Sequence, residues 1–435
     1  MTIKNIKFLC PLFFSIMLFT GCGGGKHGET TPGASDPKLR DTHPYVANSR
    51  YRNVLQKCAG AKSRSESCKV NELPFLALEQ EVPSKELIMQ RVLVSHDWMG
   101  KRFEEMLDLL EDDMKVLLGA VTAIVIDDDI IPSYYWIRTG AMYIDPRYLW
   151  LTPSEARSIT EKDDYRSGFG KELRFSNWHR DVKNNRRAYN YFAIDSNQTR
   201  TLNDIKYRFA GLLYHELMHA NDFFPPYKRD KVIKHESVET NLRRLGQDGI
   251  SVNLYARSPL KAQHLKDIAE VLYRGKAATV YQKGVYAEDM GSWFSNDYAN
   301  AMYSYSTIFE DTAMLFQRAM IKYHYGVESD QVFIDNPIDG VDFNCANAII
   351  GWGERNSVAK DEVRSRAAYV TKLVFPSKDW DTMFSQKLGT SKVIPHNKSW
   401  CETLNLNAKM TKGIDGDINT TYRDAIYKED MIPPY

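Results

Sequence analysis

The chain has 435 residues, of which 43% are hydrophobic and 26% are charged. This composition supplies enough apolar material for a sizeable core, and it argues against wholesale disorder and against a protein with many membrane spans. Lys and Arg number 57 and Asp and Glu number 56, so the formal net charge is +1. Nucleic-acid-binding proteins usually carry a basic surplus or a basic stripe, and we therefore expect no nucleic-acid partner.

The first 22 residues are predicted to be a signal sequence. Lys4 and Lys7 precede an almost wholly apolar run over 8–19, which is too short for a permanent membrane-spanning helix. The run leads into Cys22 in a pattern that resembles the lipobox of bacterial lipoproteins. The resemblance implies lipidation of Cys22 and an anchor in the cell envelope, at the outer membrane because no Asp retention signal follows. Ordinary cleavage beside a stray cysteine is the alternative.

Residues 23–44 are rich in Gly, Pro, Thr and charged side chains and are expected to form a flexible tether. Removal of the predicted signal sequence takes two lysines and no acidic residue, so the remaining chain carries a formal charge of −1.

Four cysteines follow the predicted lipidation site. An even number in an oxidising compartment predicts disulfides, with three possible connectivities. Proximity along the chain favours Cys58–Cys68 and Cys345–Cys401. Zinc binding by these four is not expected, because the sequence has no C-x-x-C pair among them.

The globular part is expected to begin near residue 45 and to be α+β. Apolar and charged residues alternate at helical spacing over 85–119, whereas the compact apolar run over 120–126 and the segment 140–145 predict strands. The three Asp after the first of these strands should form a solvated turn, and 160–200 should be an irregular surface excursion. Strong helical patterns follow over about 204–221 and 307–324. Residues 326–435 form an additional C-terminal region without an interpretable motif.

The clearest chemical signal is H-E-x-x-H over His215, Glu216 and His219. Asn203 is a candidate N-cap, and the apolar residues before the motif recur at helical spacing, so the motif should lie on a helix. On a helix, residues four apart share a face, so both imidazoles can reach one Zn²⁺ at about 2.0–2.1 Å. Glu216 then stands beside the metal as a general base for water. Two partly buried histidines without a metal are the alternative.

This motif resembles that of the zincin metallopeptidases. The resemblance implies an α+β catalytic domain over 45–325, with a mixed sheet, an edge strand, the active-site helix and a largely helical lower part. It also implies two histidine ligands and a third ligand from farther along the chain. The metzincin extension is absent, since Asp222 and Pro225 stand where its Gly and third His would be. A later glutamate is therefore expected, as in the gluzincin branch.

Two glutamates compete for the role of third ligand. Glu239 lies twenty residues after His219, but the Asp expected four residues beyond it is replaced by Arg243. Glu310 and Asp311 open the second predicted helix in a pattern that resembles the third-ligand helix of several bacterial gluzincin-like families. We favour Glu310, with Asp311 as a partner that holds a ligand histidine. A capping box with Thr307 is the alternative role for Glu310.

The resemblance implies two further features. A zincin normally binds a substrate peptide along an edge strand near the active-site helix, and 140–145 is the best candidate for that strand. An oxyanion donor is also needed, and Tyr303, Tyr305 and His264 are candidates among which the sequence does not choose.

These features predict a lipid-anchored, zinc-dependent peptidase of the bacterial cell envelope, with one Zn²⁺ per chain and a peptide or protein substrate. A degenerate or zinc-stabilised zincin that serves as an envelope binding or assembly protein is one alternative. A hydrolase of peptidoglycan cross-links is another.

Overall fold

A computed structural model describes residues 39, 41–336 and 343–406. The predicted signal sequence, the lipidation site Cys22 and nearly all of the predicted tether lie outside the described residues. Among the described helices, none has the length and apolar character needed to cross a membrane.

The structure is α+β, with two sheets and helices between and around them. The strands are β1 (His43–Pro44), β2 (Val92–Val94), β3 (Ile124–Ile126), β4 (Tyr134–Trp136), β5 (Ala141–Ile144), β6 (Phe175–Lys183), β7 (Arg186–Arg187), β8 (Glu328–Asp335), β9 (Ile350–Arg355) and β10 (Lys392–Val393). The helices are α1 (Leu55–Ala59), α2 (Lys85–Met89), α3 (Asp97–Leu109), α4 (Asp113–Leu118), α5 (Pro153–Arg157), α6 (Leu202–Phe223), α7 (Val238–Leu245), α8 (Ile250–Arg257), α9 (Gln263–Arg274), α10 (Val280–Lys283), α11 (Ala287–Ser295), α12 (Ile308–Tyr325), α13 (Asp361–Val374) and α14 (Trp380–Lys387).

The first sheet has the order β1-β2-β3-β5-β4, with β2, β3 and β5 parallel and the two outer strands antiparallel. The three parallel strands are buried throughout, as expected of strands covered on both faces. Side chains such as Ile124 and Ile126 pack in the main core with α6, whereas Val125 between them faces a smaller core that includes Cys58 and Cys68. The sheet therefore separates the N-terminal segment from the central helices.

The second sheet is antiparallel with the order β10-β9-β8-β6-β7. Its strand β6, which lies between β8 and β7, falls within the segment 160–200, so the prediction that this segment is an irregular surface excursion is wrong. Trp178 of β6 is fully buried against Trp400, while Phe175 packs with Phe333 on the side of α9 and α11. Tertiary packing on both faces of the sheet stabilises this polar strand, which carries no strong alternation of its own.

The C-terminal region shares this sheet with the residues before it. Strand β8 pairs with β6 over eight residues, and α13 packs against α12. A domain boundary was expected after residue 325. The second sheet and the main core both include residues from each side of that position. The cysteines pair as predicted, Cys58 with Cys68 and Cys345 with Cys401, at Cα–Cα distances of 5.3 and 5.2 Å.

Helix α6 is the central element of the main core. Every residue from 209 to 222 is buried, as expected of a helix surrounded by other elements. The helix is two residues longer at each end than predicted, and its N-cap is Thr201 rather than Asn203. The Thr201 side chain accepts a hydrogen bond from the Asp204 N–H, and the Asp204 carboxylate accepts one from the Thr201 N–H in return.

Two other local expectations need correction. Strand β2 interrupts the helical pattern predicted over 85–119, because its three apolar residues insert between β1 and β3. The three Asp after β3 are not simply a solvated turn, since Asp127 is only 5% exposed. Burial, together with Asp128 and Asp129 beside it, raises the pKa of Asp127 to about 7.

Asp127 is expected to make the protein less stable as the pH rises. Its pKa is higher in the folded state than in the unfolded chain, so the folded state binds more protons between about pH 4 and pH 7. Replacement of Asp127 by Asn should therefore raise the free energy of unfolding at pH 8 by about 1–3 kcal/mol and have less effect at pH 4.5. Urea unfolding at both pH values measures this difference. The same gain from Asp381→Asn, at an exposed position on α14, would contradict the assignment.

Candidate metal centre

Helix α6 presents the H-E-x-x-H residues to the interior. His215, Glu216 and His219 are each no more than 3% exposed. The two histidines are one helical turn apart, and their Nε2 atoms lie 3.2 Å from each other. Both rings therefore direct a nitrogen to the same point beside the helix.

Helix α12 brings Glu310 to that point, although Glu310 lies 91 residues after His219 in the chain. Glu310 Oε2 lies 3.0 Å from Nε2 of His215 and 3.5 Å from Nε2 of His219. Thr307 caps α12 by accepting a hydrogen bond from the Glu310 N–H, but the Glu310 side chain is directed to the histidines. The capping box was the alternative role for Glu310, and only its Thr307 half is present. The Glu310 carboxylate therefore remains available to the site.

The donor set and its spacing fit a Zn²⁺ ion. Three ligands about 2.0–2.1 Å from a tetrahedral centre are separated from one another by about 3.3 Å. The three separations in the structure, 3.0, 3.2 and 3.5 Å, lie around that value. Two imidazoles and one carboxylate are also a common ligand set for zinc, with a fourth position left for water. Within the described residues, these three side chains are the group of metal-ligating type that converges in this way.

The electrostatics of the cluster favour a charged Glu310. Burial by itself would raise the pKa of this carboxyl, but the adjacent His219 and His215 outweigh burial and hold its pKa well below the usual range. A buried carboxylate needs a compensating positive charge, which two histidinium groups or a bound cation supplies.

Glu216 is placed differently from Glu310. Burial raises the pKa of Glu216, against the opposing effect of His215, His219 and a backbone hydrogen bond from Tyr135. Its Oε2 atom is buried and has no hydrogen-bond partner among the described residues. An unsatisfied carboxylate oxygen is costly in a protein interior, and this one stands next to the histidine pair. The Oε2 atom of Glu216 is thus an acceptor that the described residues leave unsatisfied.

Gln317 is a site residue that the sequence did not reveal. Its Oε1 atom lies 3.3 Å from Nδ1 of His215, which fixes a proton on Nδ1 and leaves Nε2 with its lone pair directed to the cluster. The available signal was its position two turns after Glu310, on the same face of α12. Asp311, the residue predicted for this role, instead pairs with Arg366 of α13.

The other predicted ligand, Glu239, lies on α7 and is not part of the cluster. Its carboxylate is paired with Arg243 at 2.7 Å and with Arg138 at 3.5 Å. The arginine that broke the expected family pattern at position 243 therefore neutralises this glutamate.

Of the three candidate oxyanion donors, Tyr303 lies nearest to the histidine pair. Its ring centroid is 6.3 Å from that of His215. Tyr305 is buried, with its ring against Phe294, and His264 is exposed on α9, where its ring stacks on Trp293. Of the three candidates, Tyr303 is thus the one whose ring lies beside a histidine of the cluster.

The edge strand beside the site is β4, not the predicted segment 140–145. Strand β5 has partners on both sides, β3 and β4, so it cannot offer an open edge. Strand β4 pairs only with β5 in the part of the chain that the structure describes, and it packs against α6.

Comparisons with protein-family models, with characterised proteins and with solved structures return no match to this chain. The chemical class of the site is therefore argued from its geometry.

Metal binding should depend on the three converging side chains. The purified protein is expected to carry about one zinc per chain, and Glu310→Ala should lose it, because two histidines alone leave the coordination shell incomplete. Glu239→Ala is the matched control, a buried glutamate outside the cluster, and should retain the metal. Elemental analysis after dialysis measures both. Loss of zinc from Glu239→Ala but not from Glu310→Ala would reverse the ligand assignment.

Gln317 should tune the site without binding metal itself. Gln317→Leu removes the acceptor that orients His215, and zinc affinity should fall by about 10–100-fold. Competition with a chromogenic chelator measures this change. Gln317→Glu keeps an acceptor at Nδ1 and should retain most of the affinity; if both variants bind zinc as the wild type does, Gln317 has no orienting role.

Proposed function

We propose that this protein is a zinc-dependent peptidase with the architecture of a zincin. The observation that carries the proposal is the convergence of His215, His219 and Glu310 next to Glu216, a buried carboxylate with an unpartnered oxygen. A structural metal site needs no such group, whereas hydrolysis needs a base beside the metal.

Zn²⁺ bound here would supply Lewis acidity, which activates water and polarises a carbonyl group. Glu216 would accept the proton of the attacking water at its free Oε2 and then donate it to the leaving amine. Glu310 and the histidines would hold the metal, and Gln317 would hold His215 in the required tautomer. Tyr303 is the candidate to stabilise the oxyanion, because it is the one of the three whose ring lies beside His215.

Strand β4 has no second strand partner among the described residues, which supports a peptide as the substrate. An extended peptide can add to an exposed strand through main-chain hydrogen bonds, and β4 runs past Glu216 at Tyr135. A peptide bound there would place its backbone close to the proposed base.

The proposed location is the cell envelope, with a lipid anchor at Cys22. The two cysteine pairs at disulfide distance support an oxidising compartment.

One observation favours a second candidate function. The three converging side chains and Glu216 are at most 6% exposed, and none of them lines the cavity of about 870 Å³ whose wall includes Arg208 and Tyr273. A closed zinc site of this kind suits a zinc-stabilised binding protein that performs no hydrolysis.

The two functions differ in their response to Glu216→Gln. In a peptidase this change keeps the metal and lowers kcat by about 10²–10⁴-fold, because it removes the base alone. Glu239→Gln is the control and should leave both properties unchanged. Zinc analysis and hydrolysis of a broad peptide library, made on the same samples, measure the outcome. Retained zinc with no hydrolysis by the wild type would favour the binding protein.

A further inference from the structure

The carboxylate of Asp113, at the start of α4, contacts both helices that carry the candidate metal ligands. It accepts a hydrogen bond from the Tyr214 hydroxyl of α6, at 3.1 Å to Oδ1 and 3.3 Å to Oδ2. Its Oδ2 atom also lies 2.8 Å from Nε2 of His324, in the last turn of α12. The side chains of Asp113 and His324 are only 13% and 15% exposed. One largely buried carboxylate therefore joins α6 to α12 from a third helix.

Both partners of Asp113 are tied to the metal centre by the chain itself. Tyr214 directly precedes His215, so a shift of the Tyr214 backbone moves the first candidate ligand. His324 lies on α12 together with Glu310, and α12 contains neither Gly nor Pro. Sharp bends in helices arise mainly at such residues, so α12 is expected to move as one body. A displacement of its last turn is then transmitted to Glu310 in its first turn.

The contact between α6 and α12 is otherwise made largely by apolar and aromatic side chains. The start of α12 places Glu310 beside His219, whereas at its end the Tyr325 ring lies 5.6 Å from that of Tyr207, so the helices run antiparallel. Packed helices shift along one another by about 1–2 Å in conformational transitions. A metal site tolerates only about 0.2 Å in its ligand distances. Hydrogen bonds of fixed length are therefore needed to set the axial position of α12.

Helix α4 is itself fixed against α6 at both ends. Near its start, Asp113 bonds Tyr214, and near its end the Leu117 carbonyl accepts a hydrogen bond of 3.0 Å from Nδ2 of Asn221. Asn221 and Leu117 are both fully buried. The H-E-x-x-H residues lie between these two attachment points on α6, so α4 gives Asp113 a fixed position beside the candidate ligands.

We infer that Asp113 is a positioning residue of the metal centre, which holds Glu310 at the distance from His215 and His219 that zinc binding requires. The inference rests on the zinc site of the proposed function. Asp113 acts through the Tyr214 hydroxyl and the His324 imidazole, which move with α6 and α12 respectively. It is distinct from Gln317, which contacts a ligand directly.

Replacement of Asp113 by Leu removes both hydrogen bonds. Zinc affinity, measured by competition with a chromogenic chelator, should fall by about 3–30-fold, the range found for residues that couple a site without contact to its ligand. Asp113→Asn keeps a carbonyl oxygen and adds an N–H group, so it can still bond both partners and should retain most of the affinity. Asp112→Leu is the matched control, because Asp112 is exposed at the same end of α4 and pairs with Lys115 of that helix. It should bind zinc as the wild type does.

A second control separates positioning from a general loss of stability. Val332 is buried in the separate core of Trp178 and Trp400, and Val332→Ala should lower the thermal midpoint of unfolding without a change in zinc affinity. An Asp113→Leu variant that behaves in the same way, less stable but with the zinc affinity of the wild type, would overturn the inference.

Variants of the two partners keep the test decisive if Asp113→Leu does not fold. Tyr214→Phe and His324→Phe each remove one hydrogen bond to the carboxylate and keep an aromatic ring. If one carboxylate bridges the two helices, either change breaks the bridge, and the double variant should bind zinc about as weakly as each single variant. Two effects that multiply in the double variant would show independent contacts and contradict the bridge.

Hydrogen–deuterium exchange of the metal-free protein provides a readout that needs no zinc. Amides of residues 308–325 should exchange faster in Asp113→Leu than in the wild type, because α12 is no longer held at its end. Asp112→Leu should exchange as the wild type does. Equal exchange in the two variants would also overturn the inference.

The failure of this inference is distinguishable from the failure of the proposed function. Peptide hydrolysis by a wild type whose zinc affinity is unchanged in Asp113→Leu contradicts the inference alone. Weakened zinc binding in Asp113→Leu, with no hydrolysis of a peptide library by the wild type, contradicts the peptidase function and supports the positioning role.

Discussion

The packing of α12 against α6 is the contact on which the rest of the site depends. The central turns of both helices are buried, and their contact brings Glu310 to within 3.0 Å of His215. The same contact sets Gln317 against the other nitrogen of that imidazole. Because both side chains belong to one face of α12, a small displacement of this helix would remove the third donor and the orienting acceptor together.

This packing has an electrostatic consequence. Two imidazoles and the Glu310 carboxylate lie within 3.5 Å of one another in the interior, and Glu216 is buried next to His215 in the chain. Charged groups are costly in an interior unless they are compensated. Glu239, a buried glutamate outside the cluster, is compensated by two arginines. Glu310 has two histidines in that position, and Glu216 retains an oxygen with no partner in the described residues. Glu239 faces two arginines whereas Glu310 faces two histidines, and this contrast is the physical argument that the cluster could hold a cation.

The two sheets contribute in different ways. The first sheet supports α6 and places β4, which has one strand partner among the described residues, beside Glu216. The second sheet contributes part of the cavity wall, since Phe175, Arg180 and Arg187 lie on β6 and β7. Because β6 pairs with β8, residues on both sides of the central helices build that sheet.

The local features of this protein could be predicted from its sequence. The H-E-x-x-H residues lie on a helix, and the spacing of four follows from helix geometry alone. Both cysteine pairs and the two long helices were predicted for similarly local reasons.

Tertiary structure decided what depends on contacts between distant segments. It distinguished Glu310 from Glu239, because sequence patterns suit both glutamates but only the Glu310 carboxylate lies beside both histidines. It made Gln317, and not the predicted Asp311, the partner of a histidine. The packing of α12 against its neighbours sets which of its side chains face α6. It also placed β4, and not the predicted segment 140–145, at the edge of the first sheet. Strand order is a property of the assembled sheet and is not encoded in the residues of one strand.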